Sequence, residues 1–134
     1  MNANKLFPLV ITDKLAQTKA FYADRAGFTT TIEQGGYLQV RYGGEDGPEL
    51  CFMDSQQAGE LHQEPFDGRG LIVSIPTDDA DQTHARLVER GATPMSIPSD
   101  KPWGWRSFGI ADPNGVVLDF FHVIPQSAAA DATG

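Results

Sequence analysis

The sequence predicts an α+β protein made of two βαβββ modules, forming a curved mixed sheet around a cleft. Three observations predict it. The first is an internal repeat: residues 12–25 read TDKLAQTKAFYADR and residues 77–90 read TDDADQTHARLVER. At a constant offset of 65, Thr12/Thr77, Asp13/Asp78, Gln17/Gln82, Thr18/Thr83, Ala20/Ala85 and Arg25/Arg90 are identical. A period this long is not a solenoid unit; it marks two copies of a half-domain sharing a core. The second is that each copy follows a short apolar run and closes on a glycine, Gly27 or Gly91. The third is that strand-like segments dominate after each helix.

Size supports the same division. A chain of 134 residues is expected to be one domain. A half of about 60 residues buries too little surface to be comfortable alone. The expected boundaries are a single domain over 1–124, repeats at 5–54 and 70–123, a connection at 55–69, and a disordered tail at 125–134.

In the first half, Leu6–Ile11 reads as a buried strand, with Pro8 marking an edge or bulge. Asp13 or Thr12 is placed to cap a helix over Lys14–Ala26, whose inner face carries Leu15, Thr18, Tyr22 and Ala26. Phe28–Gln34 and Tyr37–Tyr42 flank Gly35-Gly36 as a hairpin. A Gly-rich turn at 43–47 leads to a fourth strand, Pro48–Met53.

The second half repeats the order. Leu71–Ile75 is a strand, and Asp79–Arg90 a helix with Ala80, Thr83 and Leu87 inward. Thr93–Ile97 is the next strand, followed by a loop at Pro98–Pro102 and a strand at Trp105–Ala111. Asp112-Pro113-Asn114-Gly115 is a turn, since proline presets φ and Asn-Gly tolerates positive φ. Val116–Val123 is the last strand.

Charge and composition narrow the function. The net charge is −8, with five basic and nine acidic residues in each of 1–64 and 65–134. Without a basic patch, nucleic-acid binding loses its electrostatic driving force. An acidic surface favours solubility and tolerates a cationic small molecule. No apolar run approaches the ~20 residues of a membrane span. The N-terminal apolar stretch is too short for a secretory signal. With a single cysteine, Cys51, no intramolecular disulfide can form, and a cytoplasmic location is expected.

The motifs carry a resemblance. Asp13 is followed by Ala20-Phe21-Tyr22 and Gly27-Phe28, then by Trp103-Gly104-Trp105-Arg106-Ser107-Phe108. Last comes Asp112-Pro113-Asn114-Gly115, leading into Val116-Val117-Leu118-Asp119-Phe120. In this order over about residues 5–123, the chain resembles the vicinal oxygen chelate superfamily of glyoxalase, bleomycin resistance protein and extradiol dioxygenase. The Trp-Gly-x-Arg-x-Phe element is most similar to the bleomycin resistance branch. The resemblance implies a homodimer with small-molecule sites. In metal-dependent relatives it implies His, Glu or Gln ligands on the first and last strand of each half. Those positions fall here near Phe7, Cys51, Ile72 and Asp119. Phe7 and Ile72 cannot bind a metal. Glu49 and Asp119 are the only carboxylates nearby and are weak metal candidates, and His62, His84 and His122 fall outside the positions. No cofactor is expected; the alternative is one divalent metal ion.

A cleft without metal ligands suits a flat or apolar molecule. Trp103 and Trp105 would present aromatic surface. Phe52, Tyr37 and Phe7 would extend the wall, with core packing as the competing reading for each. Asp119 faces the cleft in this register and needs a partner, either a protein donor or a cationic ligand group. Arg106 would anchor a ligand anion or form a structural ion pair. Cys51 reads as a small buried hydrophobe. The expected function is metal-independent binding of an aromatic, possibly cationic, compound such as an antibiotic, without catalysis. The alternatives are a metal-dependent lyase, isomerase or dioxygenase with Glu49 or Asp119 as general base, and a structural or regulatory dimerisation module.

Overall fold

The structure, a computed structural model, describes residues 5–61 and 63–125. The chain forms two compact units. One comprises residues up to Leu71 together with Asp112–Val116, and the other comprises Ile72–Ala111 together with residues from Val117 on. The Asp-Pro-Asn-Gly turn of the second repeat counts with the first unit.

The first unit holds strand β1 (Leu9–Thr12), helix α1 (Leu15–Ala20), β2 (Thr29–Gln34), β3 (Tyr37–Arg41) and β4 (Glu49–Asp54). The sheet order is β1-β4-β3-β2, with β1 parallel to β4 and the other pairs antiparallel. β1 is an edge strand, as Pro8 requires, but it starts at Leu9 rather than Leu6. Pro8 has no N–H to give a ladder, and its carbonyl accepts from Cys51 N at 3.0 Å. The helix runs on from α1 as a π-helical turn, Phe21–Arg25. Neither Asp13 nor Thr12 caps it: Lys14 is the N-cap residue, the helix start has no side-chain cap, and Thr12 Oγ1 accepts only from Lys14 N at 2.9 Å. Leu38, Val40, Leu50 and Phe52 face the helix and are buried with Tyr22 and Phe28. Rings Tyr22 and Phe28 meet edge-on at 5.0 Å, and Tyr22 and Phe52 lie 5.1 Å apart. Each such side chain contributes roughly 1.5–3 kcal/mol on burial.

The Asp112–Val116 turn is the polar counterpart of that core. Asp112 Oδ1 accepts from Asn114 N and Val116 N, at 2.8 and 2.9 Å. Its Oδ2 accepts from Tyr22 Oη at 2.8 Å. Asn114 joins Thr12 through Oδ1 and Thr18 through Nδ2. Burial, then the neighbouring Asp112 carboxylate, pushes the Tyr22 phenol well above its usual range, so it stays a donor. Gly115 has φ of 87°, and a Cβ there would fall 2.6 Å from Gly68 Cα.

The second unit contains β5 (Ile72–Pro76), α2 (Ala80–Glu89), β6 (Ser99–Asp100), β7 (Trp105–Ala111) and β8 (Val117–Val123), in sheet order β5-β8-β7-β6. Ile75, Leu87, Phe108, Ile110, Leu118 and Phe120 form its apolar interior. Asp79 caps α2, accepting from Asp81 N and Gln82 N. The strand expected at Thr93–Ile97 is replaced by the two-residue β6, inside the expected loop. Pro94 and Pro98 cannot donate to a ladder, and the earlier segment reaches β7 only through isolated bonds, such as Met95 N to Gly109 O at 2.7 Å. The connection carries two short 3₁₀ turns, Ser55–Gln57 and Gly59–Leu61. His62 and the expected tail beyond residue 125 lie outside the described residues. Among the described residues no helix is long and apolar enough to cross a membrane.

Candidate functional site

Strand alternation gives each sheet one face toward its helix and one away from it. The second sheet's far face carries Trp105, Ser107 and Gly109 from β7 and Val117, Asp119 and Phe121 from β8. Trp105 and Phe121 stack, with centroids 3.8 Å apart and ring planes 13° apart. Trp103 precedes β7 in the turn closed by Gly104 N to Lys101 O at 3.0 Å. Its ring lies edge-on to Trp105 at 6.2 Å and is 63 % exposed. The positive φ of Gly104, 90°, brings the two indoles together although only Trp105 is in the strand. Asp119 is two residues before Phe121 on the same face, ~7 Å along the strand. It pairs in register with Ser74 of β5 and Gly109 of β7, and accepts from Ser74 Oγ at 3.0 Å. The side chain of Asp119 is half-buried, next to a position with no side chain.

Two of the expected ligand residues, Arg106 and Phe52, lie on the helix side of their sheets. Arg106 faces α2, where its Nε and Nη2 donate to Asp81 at 2.9 and 3.0 Å while Nη1 donates to Asp100 at 2.9 Å. The bidentate bond holds Asp81 below the usual carboxylate range and Arg106 above its own, so this is a structural ion pair. Phe52 is fully buried on the helix side of β4, because it alternates with Cys51. Phe7 is half-buried and precedes β1. Phe121, by contrast, was not foreseen, although it shares the strand parity of Asp119.

The first sheet's far face is polar. Tyr37, Gln39 and Arg41 of β3 lie in register with Met53, Cys51 and Glu49 of β4. Tyr37 Oη donates to Gln39 Oε1 at 2.8 Å, Gln39 Nε2 to Glu49 Oε1 at 2.6 Å, and Lys5 Nζ to Glu49 Oε2 at 2.9 Å. Burial raises the Glu49 carboxyl, but the bonds from Gln39 and Lys5 and the charges of Lys5 and Arg41 outweigh it and hold the group below its ordinary value. Burial pushes the Tyr37 phenol up, with Cys51 and Glu49 adding to it. Burial likewise pushes the Cys51 thiol up to about 11, against a lowering bond from Tyr37 and with the Glu49 charge adding to it. Of this network only Tyr37 and Glu49 were anticipated.

The ladders also tie together the positions that the resemblance marks for metal ligands. Cys51 pairs with Leu9, and Asp119 pairs with Ser74. Leu9 and Ser74 are themselves 65 residues apart, so the repeat makes Cys51 and Asp119 equivalent. Phe7 and Ile72 lie two residues before these neighbours, and Ile72 faces Val117. The donor set does not fit a metal ion. Leu9 has no donor atom, Ser74 is committed to Asp119, the Cys51 thiol resists ionisation, and both Glu49 oxygens are occupied. Among the described residues no three His, Cys, Asp or Glu side chains gather as a metal site. His84 packs edge-on against Phe108 at 5.0 Å, and His122 Nδ1 accepts from Ala80 N at 2.8 Å, both on the helix side.

Known proteins place this architecture. The chain is similar to a glyoxalase/bleomycin resistance protein from Streptomyces sp. CB03234, with 30 % identity over 85 % of this chain and 96 % of the other, at a TM-score of 0.63. It is also similar to TnmS3, an antibiotic binding protein from the same organism. Identity there is 28 %, over 92 % of this chain and 99 % of that one, with a TM-score of 0.67. A glyoxalase/bleomycin resistance protein/dioxygenase from Nocardioides shares the fold at a TM-score of 0.72 and 23 % identity, over 95 % and 88 % of the two chains. No curated protein matches the sequence. The family model for glyoxalase, bleomycin resistance protein and dioxygenase matches residues 6–120, and the chain belongs to that superfamily.

Proposed function

We propose that the protein is a metal-independent binding protein for an aromatic, cationic small molecule of the antibiotic type, working as a cytoplasmic homodimer. The observation that carries the reading is the far face of the second sheet, where a Trp105–Phe121 stack and an exposed Trp103 lie beside a half-buried Asp119. A flat ring laid on the indoles gains roughly 25 cal/mol per Å² of apolar surface removed from water. The net affinity is lower, because association entropy opposes it. Asp119 supplies a countercharge whose sole protein donor in the described contacts is the Ser74 hydroxyl. The similarity to an antibiotic binding protein supports the same reading.

Tryptophan fluorescence tests it, with naphthylmethylammonium and an acridinium cation as probes and naphthoate as the anionic control. Saturable quenching by the cations is expected. Trp105→Ala should weaken binding by about 2 kcal/mol, roughly thirty-fold in Kd, with the fold retained by circular dichroism. Asp119→Asn should erase the preference for cation over anion. Stoichiometric Ni, Zn, Fe or Mn in protein purified without added metal, lost in Asp119→Ala, would overturn the metal-independent reading.

A further inference from the structure

We propose that the first unit carries a second ligand site, centred on Arg41, for a small zwitterionic carboxylate of the amino-acid type. A cavity of about 680 Å³ lies within this unit, lined by Lys5, Thr29, Arg41, Glu45, Asp46 and Glu49 among others. Thr29, Arg41 and Glu49 form one row across β2, β3 and β4, each the direct register partner of the next. Arg41 therefore stands opposite a carboxylate, yet it makes no ion pair among the described residues. The reason is that its neighbour is already committed. Glu49 takes one bond from Gln39 and one from Lys5. Lys5 in turn is spent on Glu49 and on the carbonyls of Gly47 and Glu45, at 2.6 and 3.4 Å.

The result is a buried Arg41 Nε with no hydrogen-bond acceptor. Such orphaned donors are rare in folded proteins, and each calls for an explanation. An acceptor brought in by a ligand provides one once the side chain turns its fork toward the cavity that Arg41 lines. A guanidinium presents its donors as a planar fork that matches a carboxylate, two parallel bonds at a time. Thr29, directly opposite in register, lines the same space. The charges around the cavity fix the rest of the molecule. Two cations and three carboxylates give the lining a formal charge of −1, counting Lys5 and Arg41 against Glu45, Asp46 and Glu49. A doubly charged anion such as phosphate is disfavoured there. A carboxylate that also carries an ammonium answers both signs, with Arg41 holding the former and Glu45 or Asp46 the latter. Every residue of this site belongs to the first unit.

The test is ¹⁵N-resolved NMR of the full chain, titrated separately with L-alanine, L-leucine, acetate, methylammonium and inorganic phosphate. The expected result is a saturable shift of the Arg41 Nε–H signal and of the Thr29 amide with the amino acids. Acetate should bind at least five-fold more weakly, and phosphate and methylammonium should cause no saturable shift. Arg41→Lys keeps the charge but loses the fork, and should abolish saturation at Thr29 while the remaining spectrum stays dispersed. The pair Glu45→Gln and Asp46→Asn should bring L-alanine down to the level of acetate. No saturable shift with either amino acid at 20 mM would overturn the proposal, as would undiminished binding in Arg41→Lys. Equal binding of phosphate and L-alanine by the unaltered protein would overturn the assignment to zwitterions.

Discussion

Replacing Glu49 with Gln probes the polar network of the first sheet most directly. Glu49 is only 7 % exposed, and its two oxygens receive Gln39 and Lys5 at 2.6 and 2.9 Å. A hydrogen bond to a charged group contributes about 1.5–3 kcal/mol. The two bonds are not additive, and Lys5, 21 % exposed, keeps the Gly47 carbonyl. Glu49→Gln is therefore expected to cost about 2–4 kcal/mol at pH 7. With a urea m-value of about 2 kcal/mol/M, the middle of the usual range, the unfolding midpoint falls by roughly 1–2 M. The sign of the pH dependence follows from the lowered Glu49 carboxyl. Its contribution is fully present above the unfolded value of about 4.3 and is lost as pH drops through the lower folded value. The gap between parent and variant should thus be constant at pH 6–7 and narrow below about pH 4. Urea titrations of both proteins at pH 7, 5 and 3 measure it. A gap under about 0.5 kcal/mol at pH 7, or one that does not narrow at pH 3, would refute the reasoning.

Three further predictions concern the rest of the framework. Gly115→Ala forces a side chain into a positive-φ turn and to within 2.6 Å of Gly68 Cα, so a loss of at least about 2 kcal/mol is expected in thermal unfolding. Asp79→Ala removes the side-chain cap of α2 and should cost about 1 kcal/mol, while Asp79→Asn should cost less. Cys51 is fully buried and its thiol sits at about 11. Only about one thiol in a thousand is ionised at pH 8, so a disulfide reagent should label Cys51 only on unfolding, and rapid labelling of the native protein would contradict the burial.

The repeat and the turn chemistry made most of the framework legible. β7 has its expected limits, because Trp105–Ala111 is an unbroken run between a Gly turn and a Pro turn. α2 ends within a residue of expectation, because its cap and closing glycine are local signals. Where the outcome depended on pairing, the sequence was a poorer guide. The short β6 emerges only from its register with β7, between prolines that defeat a longer strand. The candidate site divides in the same way. Trp103, Trp105 and Asp119 could be named from composition and alternation. Arg106 and Phe52 lie on the other side, which strand parity with Trp105 and Cys51 already implies, while their partners Asp81 and Tyr22 are tertiary contacts that no local pattern encodes. The Lys5–Glu49–Gln39–Tyr37 chain and the stranded Arg41 depend on partners up to 44 residues apart. The only linear hint is the alternation of Tyr37, Gln39 and Arg41 with apolar Leu38 and Val40.

The Asp112–Val116 turn has a consequence for how this chain can be divided. Thr18 and Tyr22, both buried, each find a partner in one five-residue segment, 96 and 90 positions away. No single cut of the polypeptide can therefore yield the first unit whole. A fragment ending near Leu71 would carry its helix and four strands, yet expose the hydroxyls that Asp112 and Asn114 satisfy. The ancestral halves of a duplicated gene begin as interchangeable parts. Here the loan of one tight turn has ended that for the first half, which on its own lacks Asp112 and Asn114, the partners of Tyr22 and Thr18.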